Sequence, residues 1–269
     1  MDASAGRIAA FRRLHETGCF VMPNPWDAGS ARALAGMGFP ALATTSAGFA
    51  WSTGRPDNSV GLEETLDHLR VIVASVDLPI NADFQGGYAT EPDGVAANVG
   101  RAVRTGIAGV SIEDFSGDPA EPLFELGLAV ERVAAAREAV RASGTGVVLT
   151  ARSEGFVWGR PDIDETIGRL QAYAEAGADC LYAPWITSLD HVAAIVDAVA
   201  PKPVNLLIHT PFTTVAEAAG LGVRRISIGG MLAKTAWRGF LDAAREIADT
   251  GTFTRFAGLP DLNGLLGAP

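Results

Sequence analysis

Several polar residues stand where short apolar runs of the chain end: Ser46-Ala47-Gly48, Asn81-Ala82-Asp83, Glu113-Asp114 and Arg152-Ser153-Glu154, while Asn205 opens a later run that closes near His209. Asp83 and Glu113 are hard oxygen ligands, and Asn81 can add a carbonyl oxygen or orient a water. Such a set suits Mg²⁺, which keeps several waters and needs only one or two carboxylates. It does not suit a structural zinc, which would want Cys or His. Arg152 carries a planar fork that matches a carboxylate or a developing enolate oxygen. The Ser46-Ala47-Gly48 turn offers a hydroxyl and backbone N–H groups, and Gly48 permits close approach of the backbone. Together these groups would hold a 2-oxo acid and stabilise an enolate when a bond to its C3 breaks. Each has a plainer reading as well. A strand-ending Asp often caps a helix, and Arg152 could simply neutralise nearby acids. Asp114 reads as a structural cap or pair, and His209 as either a proton carrier or a satisfied, partly buried histidine. His15, His68 and His191 fall in helix-like segments and read as surface residues.

These residues need a frame that brings strand ends together. The chain alternates short buried-strand patterns with amphipathic stretches. Strands are predicted at 20–22, 41–45, 80–83, 109–113, 147–151, 180–183, 204–208 and 225–228. Helices are predicted at 62–75, 94–105, 130–142, 163–176, 189–199 and 214–221, with Gly106, Gly144, Gly177 and Gly222 as stops. Eight strand–helix units, about 30 residues each, predict one (β/α)8 TIM-type barrel domain over 1–269, whose active site lies at the C-terminal strand ends. An open doubly wound sheet would want a Gly-rich phosphate turn after the first strand, and PNPWDAGSA is not one. A long helix at 233–250 and an apolar tail, FTRFAGLPDLNGLLGAP, follow the eighth strand. That C-terminal tail must pack on its own barrel or on a partner subunit, so a homo-oligomer, a dimer or tetramer, is expected.

Composition bounds the rest. In 269 residues, 48% are hydrophobic and 19% charged, enough for a large core. A net charge of −10 argues against nucleic acid or an acidic membrane as partner, so a small anionic substrate must be met by local positive charge. Cys19 and Cys180 read as buried thiols. Neither a signal peptide nor a membrane span is read, and a soluble, cytoplasmic protein is expected.

The ordered strings TTSAGFAWSTGRPDN, NADFQGGY, GVSIED, LTARSEGF, GADCLYAPW and GVRRISIGGMLAKTAW resemble the isocitrate lyase/phosphoenolpyruvate mutase superfamily. The resemblance runs from about Pro23 to Thr252. It implies a Mg²⁺-dependent barrel enzyme, with Ser46, Ala47 and Gly48 as substrate contacts and Asp83 and Glu113 as metal contacts. It further implies Arg152 as the enolate or carboxylate clamp and Asp57 as a mobile active-site carboxylate. The departures narrow the chemistry. Superfamily members that cleave isocitrate carry a Lys-Arg-Cys-Gly-His loop after the fourth strand, and those acting on phosphonopyruvate use a Lys and an Asn there. Here the loop is DFSGDPAEPLFELGLAV, without Lys, Arg, Cys, His or Asn. Residues 116–126 are therefore expected to form a mobile lid without catalytic groups of its own. Asn81 replaces the family's first metal-stretch Asp, and Glu154 stands for the usual Asp of the fifth segment. Decarboxylation of an oxaloacetate-like acid fits this loop best. A carbon–phosphorus mutase or hydrolase, or a silent 2-oxo acid binding protein, is the alternative.

Overall fold

Runs of apolar, often β-branched residues bounded by turns form buried parallel strands. In the computed structural model, which describes residues 3–267, eight such strands line up. They are β1 (Phe20–Met22), β2 (Leu42–Ala43), β3 (Ile80–Asp83), β4 (Gly109–Glu113), β5 (Val148–Arg152), β6 (Cys180–Tyr182), β7 (Val204–Leu207) and β8 (Arg225–Ser227). All pairings are parallel, in the order β1-β8-β7-β6-β5-β4-β3-β2. The barrel is nearly closed, and its seam lies between β1 and β2. There the Ala43 amide donates to the Pro23 carbonyl at 3.0 Å. Buried Asn24 finishes the closure: its Nδ2 donates to Thr44 O and its Oδ1 accepts from the Ile228 amide, both at 2.9 Å.

Helices α1 (Ala3–Leu14), α2 (Ala28–Gly36), α3 (Ser46–Ser52), α4 (Leu62–Ser75), α5 (Pro92–Val103), α6 (Leu126–Ala142), α7 (Ile163–Glu175), α8 (Leu189–Val199), α9 (Val215–Gly220), α10 (Met231–Thr250) and α11 (Leu262–Gly267) surround or follow the strands. The predicted barrel is present, and the four predicted stops Gly106, Gly144, Gly177 and Gly222 all take positive φ, a conformation that glycine adopts without steric cost. Strand β2 is shorter than expected because the Thr45 side chain accepts from the Gly48 amide and starts α3. Strand β5 is one residue later than read, which puts Arg152 itself on the strand end.

Beneath the barrel lies α1. Its Phe11 is fully buried, and a side chain at Gly109 would meet Phe11 Cε1 at 2.6 Å and Asn81 Oδ1 at 2.5 Å. Only glycine leaves room there for both. Arg225, 1% exposed, spans the barrel floor. Its Nε donates to Asn205 Oδ1 at 2.8 Å and its Nη2 to Thr150 Oγ1 at 3.0 Å, and its Nη1 lies 3.3 Å from His15 Nε2. Burial, with Arg225 next in weight, pushes the His15 pKa down to about 3. The neutral ring therefore accepts from Arg225 through Nε2 and donates from Nδ1 to Phe11 O at 2.8 Å.

Three expectations need correction. His68 is buried, not on the surface: it lies on the α4 face that buries Thr65, Leu69 and Ile72, and it stacks on Phe49 at 3.8 Å. His15 is half-buried under Arg225, and His191 is half-exposed against Phe156. Of the cysteines, Cys180 is buried but Cys19 only partly so. The tail does not bury its apolar residues on its own barrel. Phe253, Phe256, Leu259, Leu262, Leu265 and Leu266 stay 36–66% exposed, and of α10 only Ala233 is buried. No helix among the described residues is long and apolar enough to cross a membrane.

The buried His68 makes a pH prediction. Burial lowers its pKa to about 4, and Asp27 only partly opposes this. Protonation therefore favours the unfolded chain. His68 costs nothing above the unfolded pKa near 6.5 and destabilises progressively as pH falls toward 4. Between pH 7 and 5 the wild type should lose about 1–2 kcal/mol more stability than His68→Phe. Urea unfolding of both proteins at the two pH values checks this, and equal losses would show that His68 does not titrate on unfolding.

Candidate active site

Parallel register places the chemistry on one level of the barrel mouth. Glu113 pairs with Arg152, and Arg152 in turn with Tyr182, at the ends of β4, β5 and β6. Arg152 is shared by three carboxylates from three segments. Its Nη1 meets Asp83 Oδ1 at 2.7 Å, its Nη2 meets Glu113 Oε2 at 3.0 Å, and its Nε meets Glu154 Oε1 at 2.9 Å. The guanidinium carbon lies 5.1 Å from the Tyr182 ring centroid. Two of its five N–H groups remain for another oxygen. Burial works against the Arg152 charge, but Glu154, Glu113 and Asp83 outweigh it and raise the pKa well above the usual arginine value.

The acids feel the crowding. Burial raises Glu113 well above the ordinary glutamate range, with Glu154, Asp83 and Asp57 adding to it and Arg152 opposing. Glu154 is pushed up to about 7, first by burial and then by Asp114 and Asp83 against the pull of Arg152. Asp57, on the exposed rim segment before α4, is raised by loss of solvent around its carboxyl and by Asp83. The Asn58 amide, Arg152 and the Ser46 hydroxyl pull it back. Asp114 plays the structural part expected of it. It accepts from Tyr173 Oη at 2.6 Å, from the Glu154 amide at 2.8 Å and from Arg169 Nη1 at 3.3 Å.

A cavity of about 440 Å³ opens at this level, and Ser46, Ala47, Asp57, Asn81, Asp83, Glu113, Arg152, Asn205 and His209 all line it. A broader groove of about 660 Å³ runs along α10 past Trp51, Trp237 and Arg238. It holds none of the strand-end residues, so the chemistry belongs to the smaller cavity. The Ser46 amide donates to Asp83 Oδ2 at 3.0 Å. The Ala47 amide is unengaged among the described residues and heads the first turn of α3, where an anion is favoured. Gly48 stands apart from its expected role. It is buried off the cavity, and its amide is taken by Thr45 Oγ1 at 3.2 Å. A side chain there would lie 2.7 Å from Thr45 Cγ2 and 3.0 Å from Trp26 Cβ, so Gly48 is required for close packing. Asn205 has both polar ends engaged, its Oδ1 by Arg225 and its Nδ2 by Ser227 Oγ at 2.9 Å. His209 sits on the rim and stacks on Trp185 at 4.9 Å, with Nδ1 buried and unpartnered. Burial lowers its pKa, Lys234 lowers it further, and the Leu207 carbonyl opposes.

The residues present fit a hard divalent cation. Asp57, Asp83, Glu113 and Glu154 gather around one guanidinium, leaving negative charge uncompensated. Asn81, 3% exposed, holds a buried Oδ1 with no partner. That oxygen lies beside Gly109 and Phe11, one layer below the carboxylates, so the fit rests on the carboxylates alone.

Several residues of the mouth escaped the sequence reading. Tyr182 was legible only as the inward position two after Cys180. Lys234 lies one helical turn into α10, with its Nζ 5.5 Å from the Trp51 ring, and no strand end marks it. Trp158 and Trp185 come from loops whose direction only the fold sets.

Residues 11–248 match the model of the phosphoenolpyruvate phosphomutase family. The chain belongs to that family. A putative lyase/mutase from Burkholderia cenocepacia J2315 is 46% identical, with a TM-score of 0.97 over 100% of this chain and 99% of that one. An uncharacterized protein of Mycobacterium tuberculosis is 33% identical over 89% of both chains. An oxaloacetate decarboxylase of Paraburkholderia xenovorans is 31% identical over 77% of this chain and 70% of its own. As a phosphoenolpyruvate phosphomutase family member with lyases and mutases for homologues, the protein is an enzyme of the isocitrate lyase/phosphoenolpyruvate mutase superfamily.

Within that family frame, Arg152→Lys should not be conservative. One ammonium cannot meet three carboxylates and still offer two donors in a plane. The value of kcat/KM on a 2-oxo acid should fall by the equivalent of roughly 2–4 kcal/mol, the scale of a lost oxyanion donor. Steady-state kinetics decide: near-wild-type values would make Arg152 purely structural.

Proposed function

We propose that this enzyme is a Mg²⁺-dependent carbon–carbon lyase that decarboxylates an oxaloacetate-like 2-oxo acid through a pyruvate-enolate-like intermediate. The observation that carries the reading is an Arg152 held by three carboxylates with two N–H groups to spare, together with a loop after β4 that holds no Lys, Cys or His. Two acids of that loop serve their own backbone. Asp118 Oδ1 accepts from the Ala120 amide at 2.8 Å, and Glu125 caps α6 by accepting from Gly127 and Leu128. Similarity to an oxaloacetate decarboxylase supports the same class.

In the proposed reaction the C3–C4 bond breaks, its electron pair becomes the C2–C3 double bond, and the π pair of the C2 carbonyl moves onto its oxygen. Carbon dioxide leaves, and a proton then returns to C3 from solvent. Asp83 and Glu113 would hold the cation. Bound there, Mg²⁺ would supply Lewis-acid polarisation of the substrate oxygens. Arg152 offers its two remaining N–H groups to the developing enolate oxygen. The Ala47 amide and the Ser46 hydroxyl face the substrate carboxylate at the α3 N-terminus. A small 2-oxo acid is thus the partner we propose, within a soluble, cytoplasmic enzyme.

Two measurements test this. Purified enzyme with Mg²⁺ should release pyruvate from oxaloacetate above the metal-only rate, and EDTA should abolish the excess. Oxalate, a planar dianion shaped like the enolate, should raise Tm with Mg²⁺ by more than Mg²⁺ alone; saturation at 100 Kd is worth about 2.7 kcal/mol. Protection by oxalate without turnover would leave a silent binding protein.

The exposed face of α10 and the tail also support a homo-oligomer, since that much apolar surface seldom stays in water. Light scattering after size exclusion should give a dimer or tetramer mass. A monomer at micromolar concentration would refute it.

A further inference from the structure

The proposed chemistry uses only one side of the mouth. Asn81, Asp83, Glu113 and Arg152 lie on the β3–β5 side, and the cavity of about 440 Å³ continues past them to a wall of aromatic rings. Two tryptophans dominate this wall. Trp158 stacks on Phe115 at 4.0 Å and 7°, so its ring is braced from behind. Trp185 stacks on His209 at 4.9 Å and 21°, and it is held with φ of +69°. A left-handed backbone is a genuine outlier for so bulky a residue, and such strain gathers at functional sites. Trp185 is nevertheless 51% exposed, so it does not serve the core. Large aromatic surface kept open beside a polar cluster is the arrangement of a ligand pocket.

We infer that this wall binds an aryl-sized, uncharged substituent on C3 of the substrate. The inference rests on reading the site as one for 2-oxo acids, and it names the class that such a site would take. Size supports it, because a cavity of about 440 Å³ that reaches Trp158 and Trp185 is larger than a four-carbon acid fills. Charge supports it too. The cavity lining carries four carboxylates, Asp57, Asp83, Glu113 and Glu154, against three cations, of which Arg152 is shared by three of those acids and Arg225 is buried in the floor. Lys234, the third, lies over the Trp51 ring as a cation–π partner and on the His209 side of the wall. Flat faces braced by stacking partners suit a planar ring.

The test compares substrates that differ only at C3. With Mg²⁺, 3-benzyloxaloacetate should be decarboxylated to 4-phenyl-2-oxobutyrate and carbon dioxide with kcat/KM at least tenfold above that for oxaloacetate. In Trp158→Ala and Trp185→Ala the ratio of the two values should fall toward one. A wild-type ratio at or below one overturns the inference and leaves the decarboxylase reading intact. A separate binding arm keeps the two ideas apart. Phenylpyruvate should bind at least tenfold tighter than pyruvate, measured by calorimetry with Mg²⁺. If neither oxaloacetate is turned over and this preference holds, the lyase chemistry fails while the aromatic subsite stands. Equal binding of the two acids overturns the subsite.

Discussion

The mouth of this barrel depends on one guanidinium shared by three carboxylates. Arg152 ties β3, β4 and the segment after β5 into one electrostatic unit, and its Nη1, Nη2 and Nε directions fix Asp83, Glu113 and Glu154 respectively. A lysine could not do this, because its charge is a point and not a fork. Neither could an arginine one residue away, because alternation would turn it out of the barrel. Removing any one carboxylate would loosen the arginine, and removing the arginine would leave three acids facing one another without a counter-charge. Such buried networks contribute orientation more dependably than stability. Orientation is what the proposed enolate site would need, since donors fixed in advance do not have to reorganise as charge develops.

A second polar layer supports the first from below. Thr150 lies two residues before Arg152 on β5 and so faces the same interior, where it accepts from Arg225. Asn205, held by Arg225, donates to Ser227. Barrel interiors are usually filled with branched apolar side chains. Here the floor is an arginine with neutral partners, possible because His15 is kept uncharged and each guanidinium nitrogen has an acceptor. Residues at the N-terminal end of a barrel serve stability more than chemistry, and α1 with Phe11 seals this layer from water.

Much of this was legible in the sequence, for identifiable reasons. Buried parallel strands are short apolar runs, so all eight could be seen, and the polar residue closing each run marks the mouth. Arg152, Asp83 and Glu113 were found by that rule. The rule fails where the fold is set by side-chain hydrogen bonds. Thr44 and Thr45 look like strand residues, yet the Thr45 hydroxyl caps α3 and ends β2. Gly48 looks like a ligand-facing glycine, but the space it vacates is filled by Thr45, Trp26 and Ala233. Helix α1 was not read because few of its residues are buried, and its importance comes from where Phe11 and the following His15 land. Asn24 closes the seam from within a turn whose sequence shows only Pro and Gly punctuation. The aromatic wall was invisible because loops carry no periodicity from which a direction can be read.

Asn81 shows how these constraints meet. The family's first metal-stretch residue is an aspartate, and here the amide keeps one oxygen at that place while dropping the charge. Its side chain is buried beside Gly109, below the level of Arg152. Another carboxylate there would join Asp57, Asp83, Glu113 and Glu154, with Arg152 already committed. Burial has already raised the pKa of Glu113 and Glu154, so an added buried acid would be forced toward its neutral form unless a cation compensated it. An asparagine avoids that cost in the metal-free protein and still presents an unpartnered oxygen. Affinity for a hard cation rises with the charge of its ligands, so the proposed Mg²⁺ would be held less tightly with an amide at this position than with a carboxylate. In the proposed reaction the demand on Arg152 would rise accordingly, because less of the developing negative charge would be met by the metal side and more would fall on its two free N–H groups.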